Sequence, residues 1–254
     1  MKHIKSSLPL VVVSLLGFTS QSVIAEDEIP FDEAELFFEL NDTDGDLGIH
    51  GKIDGDEWKR LTIEDPNERR VMVVKARGRL KRQGLTELFF ESAEPSFDEL
   101  NPKKFFKRFP EGVYEIEGVT LDGEELENEI FLSHVIPAAP ANVTVNGQEA
   151  AEDCDGDLPE VSVPITLSWD AVVNSHEELG KEGDVTVRYY EVVVEIDDSD
   201  YKSASIVPAG ITEWTLADDE FFQLSEEGEY KFEILVRAEN GNKSATESCF
   251  IVVE

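Results

Sequence analysis

The chain has 254 residues, with 56 Asp and Glu against 22 Lys and Arg and a formal net charge of -34 at pH 7. A surface this acidic repels nucleic acid, whose phosphates need Lys and Arg to neutralise them, so nucleic acid is excluded as a partner. A hydrophobic content of 41% still supplies packed cores, which places the acidity on a folded surface and not in a disordered tail.

Lys2, His3 and Lys5 precede the apolar run 8–18, and Val23-Ile24-Ala25 stand before an abrupt acidic start at Glu26. This is the pattern of a secretory signal cut after Ala25, so residues 1–25 are expected to be a signal peptide and the mature chain to be secreted or periplasmic. The run is too short to span a bilayer, and no later stretch approaches the roughly 20 apolar residues a membrane helix needs, so no membrane insertion is expected.

Residues 26–136 read as a first β-sandwich domain. After the apolar 36–38, short strands are predicted near 47–53, 57–64, 71–81 and 85–92, a spacing that suits antiparallel sheets. Asn101 before Pro102 predicts the start of one short helix through Phe105, Phe106 and Phe109, ending at Pro110. Asp122-Gly123 then predicts a tight hairpin between strands 114–121 and 126–135. The proline-bounded segment 137–140 reads as a short linker.

Residues 141–254 predict a second sandwich of seven strands, near 141–145, 165–169, 185–196, 204–207, 213–216, 230–238 and 248–253. The clearest is the alternating run Tyr230, Phe232, Ile234, Val236 and Ala238, with Lys231, Glu233 and Arg237 facing the other way. Pro140 with Asn142-Val143-Thr144, Trp169, Tyr190, Trp214 with Leu216, and the spacing Leu224, Gly228, Tyr230 ahead of residues 236–241 together resemble the fibronectin type III domain. That resemblance covers residues 140–254 and implies a two-sheet sandwich used as a spacer or protein-binding module. The acidic insertion 148–160, which carries Cys154, departs from the family pattern. No known family resembles residues 26–136.

Cys154 and Cys249, an even pair in an exported chain, read as one disulfide. The loop it closes, about 95 residues, is worth roughly 4 to 5 kcal/mol on the chain-entropy estimate.

Three constellations are candidates for chemistry. Asp42, Asp44 and Asp46 alternate in a turn, the donor set a hard cation such as calcium takes. An EF-hand loop fails in both frames: starting at Asp42 puts Leu47 at the glycine position and Ile53 at the terminal glutamate, and starting at Leu40 loses the first ligand. A looser calcium site and a solvated hairpin turn remain as alternatives. Lys75, Arg77, Arg79 and Lys81 alternate with Ala76, Gly78 and Leu80, so on one strand four cations face one way. Such a row suits an anionic partner, or else pairs across the sheet with Glu87, Glu91, Glu115 and Glu117. Catalytic signatures are thin: no nucleophile elbow, zinc-protease helix or phosphate-cradling loop appears.

The expectation is an exported, all-β, non-catalytic binding or scaffold protein with no catalytic or cofactor-binding residue assigned. Its partner is expected to be a protein or carbohydrate at the cell surface. A polysaccharide-acting hydrolase or lyase with an accessory module, and a calcium-stabilised surface protein, are the alternatives.

Overall fold

The computed structural model describes residues 29–196, 199–225 and 228–253; the expected signal peptide lies outside them. The N-terminal part runs β1 (Glu33–Asn41), β2 (Asp46–Glu64), β3 (Arg70–Lys75), the one-turn α1 (Leu80–Gln83), β4 (Leu85–Glu91), α2 (Pro102–Arg108), β5 (Gly112–Thr120) and β6 (Glu125–Leu132). The remainder runs β7 (Thr144–Val145), β8 (Gln148–Glu149), β9 (Glu160–Val161), β10 (Ile165–Ser168), β11 (Val187–Glu195), β12 (Lys202–Pro208), β13 (Glu213–Leu216), β14 (Glu229–Ala238) and β15 (Lys243–Val252). The protein is all-β, as its alternating patterns predict.

The first core is organised by β2. Its 19 residues occupy the stretch where two strands were predicted. The acidic residues 54–57 mark a bend with shifted register and not a chain reversal. The first half pairs with β1 and β4, the second with β3 and β5. Leu47, Ile49 and Ile53 from one half and Leu61 and Ile63 from the other enter a single cluster with Phe38, Tyr114, Ile116 and Leu126. Helix α2 closes one end of it. The Asn101 side chain accepts from Lys103 N at 3.0 Å, and Phe105 and Phe106 meet the Phe38 ring edge-on, at 5.8 and 5.4 Å. Thr120 Oγ1 accepts from the backbone N–H groups of Gly123 and Glu124, which shapes the predicted hairpin turn.

The second core lies between the small sheet β13-β10-β7-β8 and the strands β12-β11-β14-β15. Trp169 packs edge-on against Tyr190, 5.2 Å between ring centroids. Tyr230 donates its hydroxyl proton to Phe221 O at 3.0 Å and accepts from Ser225 N, the tyrosine-corner arrangement of β-sandwiches. One residue of that pattern departs from expectation: Leu224 is 45% exposed, and Phe222, 5% exposed, fills the core beside Tyr230. Cys154 and Cys249 are joined, fixing the acidic insertion to β15.

The two cores share one sheet. β15 pairs in parallel with β1, Glu39 to Asn41 beside Lys243 to Ala245, so the order β12-β11-β14-β15-β1-β2-β5-β6 is continuous. Asn242 is fully buried at this seam. Its Oδ1 accepts from Phe38 N at 2.9 Å, and its Nδ2 donates to the carbonyls of Ser133 and Val135, each at 2.9 Å. Ser244 and Thr246 donate to Pro137 O and Pro140 O, both at 2.6 Å. Segment 137–140 is therefore seated along β15.

Candidate functional site

The four alternating cations do not share a strand. β3 ends at Lys75; Gly78, at φ +59°, then reverses the chain, Arg79 caps α1, and Lys81 lies within it. The predicted stripe is thus a loop followed by a single helical turn. Lys75, Arg77, Arg79, Lys81 and the neighbouring Arg82 are all exposed. None of them makes an ion pair among the described residues, so the predicted pairing with Glu87, Glu91, Glu115 and Glu117 is not formed. The basic residues of α2 form a separate group. Ala76 N bonds Lys59 O, placing the loop beside the bend midway along β2, near Trp58 and Thr120, whereas α2 leads into Gly112 at the opposite end of β5.

The acidic turn is held by its own side chains. Asn41 Oδ1 accepts from Thr43 N and Asp44 N, and Asp42 Oδ1 is 3.0 Å from His176 Nε2. Asp46 opens β2, and burial, with Glu94 and Asp44 nearby, pushes its carboxyl up to about 6. Among the described residues no three His, Cys, Asp or Glu side chains come together as an ion-holding group.

Each described histidine has a partner. His50 Nε2 is 2.9 Å from Glu94 Oε1, and His134, past the end of β6, has its Nε2 2.8 Å from Phe109 O. His176 Nδ1 accepts from the backbone N–H groups of Glu178 and Leu179, so its Nε2 carries the proton donated to Asp42. The segment 173–185 around it curves about an open hollow of about 830 Å³ and grips the first core. Leu179 packs into that core, Lys181 pairs with Glu111, and Gly180, at φ +72°, lies so close to His134 O that a Cβ would stand 2.1 Å from it. Burial acts to raise the Glu111 carboxyl, but Lys181 and the backbone N–H of His134 prevail and hold it below its ordinary value.

No family model matches the chain, and no curated protein matches it. Among solved structures it is similar to the FN1–FN3 domains of chicken CNTN1, at 9% identity over 89% of this chain and 65% of that one, with a TM-score of 0.35. A two-domain fibronectin type III segment of chicken tenascin is similar at 11% identity over 86% and 97% of the two chains, with a TM-score of 0.29. A 1.5-MDa bacterial ice-binding adhesin, described for host cell surface retention, is similar at 12% identity, 89% and 66% coverage and a TM-score of 0.25. The chain spans 65% of the CNTN1 chain and 66% of the adhesin chain. The likeness is one of fold alone.

The sequence gives no warning of the charged ladder that crosses the seam on the outer face of the large sheet. Arg237, 5% exposed, lies over the Phe37 ring at 4.4 Å and pairs with Glu35 at 2.8 Å. Lys243 pairs with Glu39 at 2.9 Å, Lys231 with Glu247 at 2.8 Å and Arg188 with Glu35 at 3.6 Å. Glu233 sits among them, opposite Glu247 in register. Burial, then Glu39 and Glu247, push its carboxyl up to about 8 against the pull of Lys231 and Lys243. Partners some 200 residues apart in sequence, such as Glu35 and Arg237, leave no local pattern to read.

Proposed function

We propose that the chain is an exported, non-catalytic binding or scaffold protein. Its N-terminal β domain recognises a protein or an acidic glycan at the cell surface, and its second domain, a fibronectin type III-like sandwich, holds that domain at a fixed distance and angle. The observation that carries this reading is the seam. A parallel strand pair, the buried Asn242 and the ion pairs crossing from β1 to β14 and β15 make two cores into one stiff unit, which suits presentation of a surface more than opening and closing around a substrate. The Cys154–Cys249 disulfide supports an oxidising compartment. Among the described residues no helix is long and apolar enough to cross a membrane.

Two measurements test it. Calorimetry of residues 26–254 should give one cooperative transition, and two separated transitions would overturn the stiff unit. Capture from a cell-surface extract and a glycan panel should yield a bound partner. Release of reducing ends or unsaturated products from a polysaccharide would overturn the non-catalytic reading.

A further inference from the structure

We propose that the loop at residues 75–82 is a binding site for a linear polysaccharide carrying sulfate or carboxylate groups. The assignment rests on the reading above, that the N-terminal domain carries recognition, and names its ligand class.

Charge segregation comes first. Residues 69–86 hold seven Lys and Arg and no Asp or Glu, in a chain with 56 acidic residues. A random placement of so many carboxylates would put several in that stretch. The cations that border acidic strands are engaged: Lys52, Arg70, Lys181, Arg188, Lys231, Arg237 and Lys243 are each ion-paired. The four of α2, exposed and without an ion pair among the described residues, share the state of the loop and serve as its control. Lys75, Arg77, Arg79, Lys81 and Arg82 are exposed and make no ion pair among the described residues. Carboxylates are abundant in this chain, and even Glu57, which packs against Gly84, makes no ion pair with them.

The backbone keeps them available. Few bonds hold the loop: Ala76 N to Lys59 O, Arg82 N to Arg79 O and Gly84 N to Leu80 O. A Cβ built on Gly78 meets no atom within 4 Å, so the tip stands clear of the body. Three of the five cations are Arg, whose planar forks match sulfate and carboxylate oxygens two at a time.

The surroundings select the class of partner. A folded protein interface is built on a buried apolar centre with aromatic anchors, whereas this loop offers one large apolar side chain, Leu80, 50% exposed, and borders no hollow described above. An extended anionic chain needs neither. It must also remain near the tip, because the acidic body repels anions within a screening length of about 8 Å at physiological salt. Double-stranded DNA, with one charge per roughly 1.7 Å of axis, suffers that repulsion more than a polysaccharide whose charges are spaced by whole sugars.

The test uses the chain from residue 26 onward and three probes: dextran sulfate, polygalacturonate and a DNA duplex. Wild type should bind one or both glycans. Raising salt from about 50 to about 200 mM should weaken binding by about a hundredfold if all five cations take part. The fivefold variant Lys75→Gln, Arg77→Gln, Arg79→Gln, Lys81→Gln, Arg82→Gln should lose at least about tenfold in affinity, the effect of removing several charge-assisted contacts, with an unchanged melting temperature. The variant Lys103→Gln, Lys104→Gln, Lys107→Gln, Arg108→Gln should bind like wild type. Loss of sulfate binding alone or of carboxylate binding alone supports the site and says which group it takes. Equal losses in both variants, no glycan binding by wild type, or tighter binding of the duplex than of either glycan would overturn the assignment. If the fivefold variant still captures a partner from the extract at wild-type level, this site is refuted while the binding function stands.

Discussion

Glu233→Gln tests the electrostatics of the seam directly. Glu233 is raised from 4.5 to about 8, chiefly by burial and secondarily by Glu39 and Glu247. In the folded chain it therefore keeps a proton that the unfolded chain releases near pH 4.5. Between those values unfolding sheds a proton, so raising the pH favours the unfolded state, and stability falls until the folded group also ionises near pH 8. At about 1.4 kcal/mol per unit the penalty approaches about 5 kcal/mol, fully developed above pH 8 and absent below about pH 4.5. A glutamine removes the titration while keeping size and hydrogen-bonding capacity. Urea unfolding at pH 5, 6.5 and 8.5 should show wild type losing several kcal/mol more than the variant, with near-equal stability at the acid end. Asp46, raised to about 6, contributes the same sign to both proteins and cancels in the difference. Parallel stability curves across that range would refute the argument.

Other perturbations have distinct expected outcomes. Asn242→Ala strips partners from Phe38 N, Ser133 O and one of the bonds to Val135 O, and should cost about 3 kcal/mol or more by denaturant melt. Asn240→Ala, which loses the bond its Nδ2 donates to Val135 O and the one its Oδ1 accepts from Asn242 N, neither fully buried, should cost about 1 to 2 kcal/mol; equal costs would deny Asn242 its place at the seam. Replacing both Cys154 and Cys249 by Ser should lower stability by about 4 kcal/mol, since the bridge spans 95 residues. A change below about 1 kcal/mol would mean that the unfolded chain is already compact there. With Asp42 committed to His176, millimolar calcium should move the melting temperature by less than about 1 °C, and a rise of several degrees would show an ion binding to the native turn.

The parts of the fold that were legible in the sequence are those whose cause is local. The alternation of Tyr230 through Ala238, the Asn101-Pro102 helix start and the Asp122-Gly123 turn each follow from a few neighbouring residues, and each is found in place. Residues 75–81 misled because alternating charge has the same period as a strand without needing a core face, while Gly78 at positive φ ends the extended chain. Residues 54–57 look like a turn by composition, yet the pairing of β2 with β1 and β4 on one side of them and β5 on the other holds them in a bend. The first half of β15 was missed because Ser244 and Thr246 face the connecting segment and not the core, so no apolar alternation marks it. Of the candidate site, the basic residue types were readable, but their unpaired state depends on where distant glutamates lie.

The parallel pairing of β1 with β15 also bears on tension. β1 is the first long strand and β15 the last, and they run the same way side by side. A pull applied ahead of Glu33 and beyond Val252 would drag these neighbours in opposite directions along their length. The bonds between them, with those joining Thr43 to Glu247, would then be sheared together and not unzipped one by one, so a tether strung through this unit would yield late and abruptly.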